Sequence, residues 1–264
     1  MPETPAGNDQ LTMVALFGHP GHELLIGQIL SDASATVLWI TDGSGGGPSG
    51  RNEFTASFLQ DAGCRAGSLR GPFQDRAIYA AMMSGNVSLL DPVVESLTTT
   101  LSEVKPAILI TDPIEYFNPV HDLANLIADI SLAKSGVAAS KRIYANEYPE
   151  LFAHGDACME RMLTKFEMAE KRRRLENYLP LFSEWKRLEH AGKLSDMGCE
   201  RIYPDPLRFN QIPAASETRF KTVFYEDYGR NAVARGLYKE CLTYDSHARP
   251  FAEALVDRHL GAKR

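Results

Sequence analysis

Leu11-Thr12-Met13-Val14-Ala15-Leu16-Phe17, then the turn Gly18-His19-Pro20-Gly21-His22-Glu23, then Leu24 to Asp32, then Ala35-Thr36-Val37-Leu38-Trp39-Ile40: this opening stretch decides the fold. The first run is apolar without alternation and of strand length, which suits a strand buried on both faces of a parallel sheet. Glycine and proline break it, and Leu24, Leu25, Gln28 and Ile29 then recur at helical spacing before a second apolar run. Strand, helix and strand within about thirty residues make a βαβ unit.

The same alternation continues outward. The stretch Thr41 to Gly50 is a glycine-rich loop, and helices are predicted over 52–62, 75–83 and about 90–103. Ala107 to Thr111 is a third buried strand, a helix follows from His121 to about Lys134, and Lys141 to Tyr148 forms a fourth strand. The prediction is a three-layer α/β/α, Rossmann-like core over 11–150 with a mostly parallel sheet. Residues 1–10 are polar and expected to be disordered. Residues 151–264 are expected to add helices and one or two strands that pack on the core. There, Asp156 to Leu194 reads as helical with Met159, Met162, Leu163 and Phe166 on one face, and Lys171 to Arg174 as a solvated basic face. Arg219 to Gly229 reads as a late strand, and Pro250 opens a last helix with Phe251, Leu255 and Val256 inward.

With 264 residues and 44% apolar content the chain can bury a full core, which excludes disorder as the dominant state. Its 28 Lys and Arg against 34 Asp and Glu leave a net charge of −6, so the field that draws proteins to nucleic acid or anionic membrane is missing. A small-molecule substrate is the expected partner. No apolar run approaches the roughly 18 to 20 residues that span a bilayer, and the N-terminus lacks the pattern of a signal peptide, so a cytoplasmic location is expected. The four cysteines are scattered without C-x-x-C spacing, as reduced thiols are. Nothing in the sequence fixes an oligomeric state.

His19 and His22 lie on the turn after the first strand, and His121 lies on the turn after a later one. In an open parallel sheet the carboxyl ends of neighbouring strands line the ligand crevice, so the three imidazoles can meet there. Three neutral imidazoles with one position left open are the coordination of a catalytic zinc, although iron, copper or nickel would also accept them. Any one of these histidines alone would be better explained as a cap or a core residue. Gly45, Gly47 and Gly50 spell G-x-G-x-x-G, but they follow the second strand and Pro48 interrupts the amides, so no dinucleotide site is assigned.

Three boxes carry a resemblance: His19-Pro20-Gly21-His22-Glu23, Thr41-Asp42-Gly43 and Asn118-Pro119-Val120-His121. In order and strand-end position over the first 150 residues, the chain resembles the LmbE-like, or PIG-L-like, zinc-dependent de-N-acetylases. The resemblance implies metal ligands at His19, at His121 and at His22, where the family has an aspartate. It also implies carbonyl-polarising positions at Asn118, a histidine in the family, and at Tyr116. The family's general base falls on Gly21, which carries no titratable group, so deacetylation of N-acetylglucosamine-type substrates is expected to be poor unless Glu23, Asp42 or Asp112 replaces it. Those three also have structural explanations, as a first-turn acid and as turn formers. The function expected is a metal-dependent hydrolase of an N-acyl C–N bond in a small amine or amino sugar. The alternative is a metal-binding protein on that scaffold that has lost deacetylation and binds a ligand or runs another metal-assisted reaction.

Overall fold

A computed structural model describes residues 11–45, 50–144, 156–190, 197–205 and 223–261. Among them is a seven-stranded sheet of β1 (Met13–Phe17), β2 (Thr36–Thr41), β3 (Arg65–Phe73), β4 (Ile108–Thr111), β5 (Ser140–Tyr144), β6 (Met159–Met162) and β7 (Cys199–Pro204), in the order β3-β2-β1-β4-β5-β7-β6. The first five are parallel, and β7 and β6 extend the β5 edge antiparallel.

Successive strand residues face opposite sides of a sheet, and β1 is buried on both. Val14 and Leu16, with Leu38 and Ile40, join one apolar layer with α3 (Asp75–Ser84), α4 (Asp91–Val104), α5 (Pro119–Ser135) and α9 (Arg249–Leu260). Met13, Ala15 and Phe17, with Val37 and Trp39, join the other with α1 (Gly27–Asp32), α2 (Asn52–Asp61), α6 (Lys165–Asn177) and α7 (Phe182–His190). The fold is therefore the expected α/β arrangement, helices on both faces of a mostly parallel sheet. No described helix is long and apolar enough to cross a membrane.

The helices at 52–61, 75–84, 91–104 and 119–135 start and stop within two residues of the predicted limits. Caps explain the ends of α5: the Asn118 side chain accepts the Val120 N–H, Pro119 sits in the first turn, and Gly136 closes the helix in the left-handed conformation. In α9 Phe251 and Leu255 are buried and Val256 packs against the same layer.

Three expectations are corrected. Met159 to Met162 is β6, paired with β7, and not part of a helix; Met162 and Phe166 are exposed rather than on a shared apolar face. A four-residue edge strand has too few residues to show a period, and its ladder to β7 overrides the helical preference of the segment. Within the predicted late strand, Phe224 onward is instead α8 (Phe224–Ala234), with Glu226 and Asp227 in its first turn and Tyr225, Gly229 and Ala232 buried at helical spacing; Arg219 to Thr222 lie outside the described residues. The basic run is only partly a solvated face. Arg172 and Arg173 are exposed on ion pairs, but Lys171 reaches the buried Glu200 carboxylate and Arg174 lies over the Phe58 ring. The first ten residues, Ala145 to Tyr148 of the fourth predicted strand, and Ala191 to Leu194 also lie outside the described residues.

The strand β3 has no counterpart among the predicted elements. Its sequence, RAGSLRGPF, carries two glycines and two arginines, and its burial alternates irregularly because it is a sheet edge with register shifts against β2. Its end delivers Asp75 to the site.

Candidate functional site

The chain runs from β1 outward to β2 and β3 on one side, then crosses to β4 on the other. The sheet's switch point thus lies between β1 and β4, and a crevice opens there at the carboxyl ends of the strands. His19 follows β1, His22 opens a single 3-10 turn three residues on, and His121 is the third residue of α5, after β4. Their ring centroids stand 5.5 Å (19 to 22), 4.9 Å (19 to 121) and 4.5 Å (22 to 121) apart, edge to face. All three line a cavity of about 200 Å³, together with Arg51, Asp75, Tyr79, Glu115, Asn118 and Tyr144 from the core. Leu181, Glu184 and Trp185 line it from the segment ending in α7.

Two of the imidazoles are held at Nδ1 by a carboxylate, and the third by a hydroxyl with a carboxylate beside it. His22 Nδ1 is 2.7 Å from Asp112 Oδ1, His121 Nδ1 bonds Glu115 Oε1, and His19 Nδ1 bonds the Thr41 hydroxyl at 2.7 Å with Asp75 Oδ1 2.9 Å away. Thr41 donates in turn to the Gly18 carbonyl, so it accepts from His19. Asp112 is fully buried; it also accepts the Gly18 N–H at 2.5 Å and the Tyr144 hydroxyl at 2.5 Å. Burial alone would raise Asp112, yet the charge and hydrogen bond of His22 and the Tyr144 contact hold it well below the usual carboxylate range. Asp75 is likewise depressed, its desolvation outweighed by His19. Burial lowers His19; it also opposes protonation of His121, but the Glu115 carboxylate raises that imidazole to about 9.

Anchoring at Nδ1 leaves Nε2 for other partners, and a carboxylate behind a histidine is the usual support of a metal ligand. The Nε2 of His121 is buried with no hydrogen-bond partner. That of His19 is 2.8 Å from the Asn118 amide nitrogen, which donates to it. The donor chemistry therefore fits a divalent cation. As the side chains stand, however, no group of three or more His, Cys, Asp or Glu among the described residues is set to hold one. Asn118 is the visible obstacle, because its amide engages the nitrogen that His19 would offer.

The other residues singled out by sequence go to different places. Glu23 is fully buried, accepting the Gly21 N–H at 2.7 Å and the Thr55 hydroxyl at 2.5 Å, and does not line the cavity. Burial raises its pKa. Asp42 accepts the Ser44 N–H in a turn, and Tyr116 packs edge-on against Tyr244 with its ring centroid 5.6 Å away; neither lines the cavity. Asp112 acts from behind His22, and Asn118 lies in the cavity wall. Asp75, Glu115, Arg51, Tyr144, Leu181, Glu184 and Trp185 are not singled out by sequence. Only Glu115 carries a usable signal, an acid just past the predicted third strand and six residues before His121.

Gly21 has a structural reason to be glycine. Its φ is +108°, and a Cβ there would lie 2.4 Å from Leu181 Cδ1. An acid at this position would meet both backbone strain and a side chain brought in from the second half of the chain.

No family model matches the chain, and no curated protein matches it either. Solved structures do. An A40926 pseudoaglycone deacetylase is 15% identical with a TM-score of 0.51, over 74% of this chain and 97% of its own. The zinc-inhibited form of a teicoplanin deacetylase is 12% identical with a TM-score of 0.50, over 74% and 100%. A conserved protein from Thermus thermophilus is 18% identical with a TM-score of 0.52, over 80% and 100%. At such identities the likeness is one of fold, and the fold of this chain is that of these proteins.

Proposed function

We propose that the cavity holds one divalent metal ion, zinc, through His19, His22 and His121, and that the protein hydrolyses the C–N bond of an N-acyl group on a small amine or amino sugar. One observation carries this reading: three imidazoles at one sheet switch point, each backed at Nδ1 by a separate carboxylate or hydroxyl system. The deacetylases of similar fold support the reaction class. A divalent ion in such a site supplies Lewis acidity toward an acyl carbonyl and lowers the pKa of water.

The chain's own residues do the rest. Asp112, Glu115 and the Asp75–Thr41 pair engage the Nδ1 atoms, so the Nε2 atoms are the ones that would hold the ion, His121 after giving up the proton that Glu115 favours. With His19 Nε2 given to an ion, the Asn118 amide would be free to donate to the carbonyl oxygen while its Oδ1 keeps the Val120 N–H. Glu184 is the cavity carboxylate without an imidazole partner; its nearest cation is Arg187, 3.7 Å away. It takes the proton of the attacking water and returns it to the leaving amine. Leu181 and Trp185 shield the reacting centre from bulk water.

A second reading keeps the ion without deacetylation, and the filled space beside Gly21 favours it. Elemental analysis and turnover separate the two. Metal per chain should fall sharply in His22→Ala and His121→Ala, and the metal-loaded wild type should release acetate from members of a panel of N-acetyl amines and amino sugars. Unchanged metal in both variants overturns the site. Full metal with no turnover on any N-acyl compound overturns the hydrolase reading and leaves the second.

A further inference from the structure

We infer that Arg51 anchors an anionic group, a carboxylate or a phosphate, on the ligand of this cavity. The inference takes the cavity as a substrate site, as proposed above. Arg51 immediately precedes α2, is half-buried, and lines the cavity with the three histidines. Each imidazole in the wall already has a carboxylate beside its Nδ1: Asp75 at His19, Asp112 at His22 and Glu115 at His121. Among the described residues the Arg51 guanidinium has no carboxylate within ion-pair distance, although Glu184 lies in the same wall. A guanidinium carries five donors in a fixed fork that matches carboxylate or phosphate, and one removed from half its solvent without a counter-charge is poised for an anion supplied from outside.

The backbone beneath it is built to bring it there. Gly43, at φ +66°, leaves a slot: a Cβ at this position would lie 3.0 Å from Arg51 Cδ and 3.0 Å from Pro20 Cδ. The Arg51 stem therefore runs over Gly43 near the Pro20 ring, in the wall of the cavity that the three histidines also line. Among the described residues that line this cavity, Arg51 is the one permanently cationic side chain. Glu184 bars an anion from the α7 side, so a ligand is oriented with its anion toward Arg51.

Calorimetric titration of the full chain tests this, with N-acetylglucosamine 6-phosphate and N-acetylglutamate each set against a neutral counterpart, N-acetylglucosamine and the diamide of N-acetylglutamate. At least one anionic compound should bind about 10- to 100-fold more tightly than its counterpart, the range of a charge-assisted hydrogen-bond pair. Arg51→Gln should abolish that preference without changing the melting temperature, and Arg51→Lys should keep part of it. Which compound shows the preference separates phosphate from carboxylate. Equal binding of anionic and neutral partners, no binding of either anion, or a preference that survives Arg51→Gln overturns the inference. Binding heat needs no turnover, so an anion preference without hydrolysis would strike the hydrolase reading alone.

Discussion

Gly21→Ala tests the packing that closes the cavity. Two costs are visible. The backbone at φ +108° is outside the conformations that a residue with a Cβ adopts readily, a strain of about 1–3 kcal/mol. The new methyl would also stand 2.4 Å from Leu181 Cδ1, in a layer shared with Tyr178 and Trp185, and overpacking of this kind costs about 1–3 kcal/mol. Gly21→Ala should therefore destabilise by about 2–6 kcal/mol, read as a lowered urea midpoint at unchanged slope. Leu181→Ala removes the clashing atom and leaves the strain. In that background the same substitution should cost only the backbone part, giving a coupling of about 1–3 kcal/mol in the double-mutant cycle. A loss below about 0.5 kcal/mol for Gly21→Ala, within the range of an ordinary surface change, would refute the conformation described. Equal costs in the two backgrounds would refute the contact with Leu181. The same geometry predicts that Gly21→Asp fails to add a working base.

Two further expectations concern charge. Glu115→Gln and Asp112→Asn remove the carboxylates behind His121 and His22 and should weaken metal binding about 10- to 100-fold in a chelator competition; unchanged affinity in both would show that neither supports a ligand. Glu200, buried, accepts the N–H groups of Gln28 and Ile29 and the Lys171 ammonium, so it ties β7 to α1 and α6. Glu200→Gln leaves Lys171 without its counter-charge and should cost about 3 kcal/mol in chemical denaturation, whereas a loss under about 0.5 kcal/mol would mean that the pair does not hold these elements together.

The sequence alone determined the core of the fold, because its signals are local. Continuous apolar runs at β1, β2 and β4 can be buried only in a parallel sheet covered on both faces, and the intervening helices carry their own caps and periodicity. It also brought His19, His22 and His121 to strand ends, since a turn after a buried strand has one place to go in such a sheet. Tertiary structure decided the rest. Whether β3 pairs, and whether residues 159–162 are strand or helix, depends on partners distant in the chain. The carboxylates behind the histidines are a matter of side-chain reach: Asp112 lies 90 positions from His22 and Asp75 arrives from the end of the unpredicted β3. That Glu23 turns inward to Thr55 while Glu184 reaches the cavity from α7 could not be read from spacing, because burial and exposure of an acid are set by what packs over it. Gly21 is the sharpest case. Read alone it is a missing acid; with Leu181 packed 2.4 Å from where its Cβ would stand, it is the residue that this close approach requires.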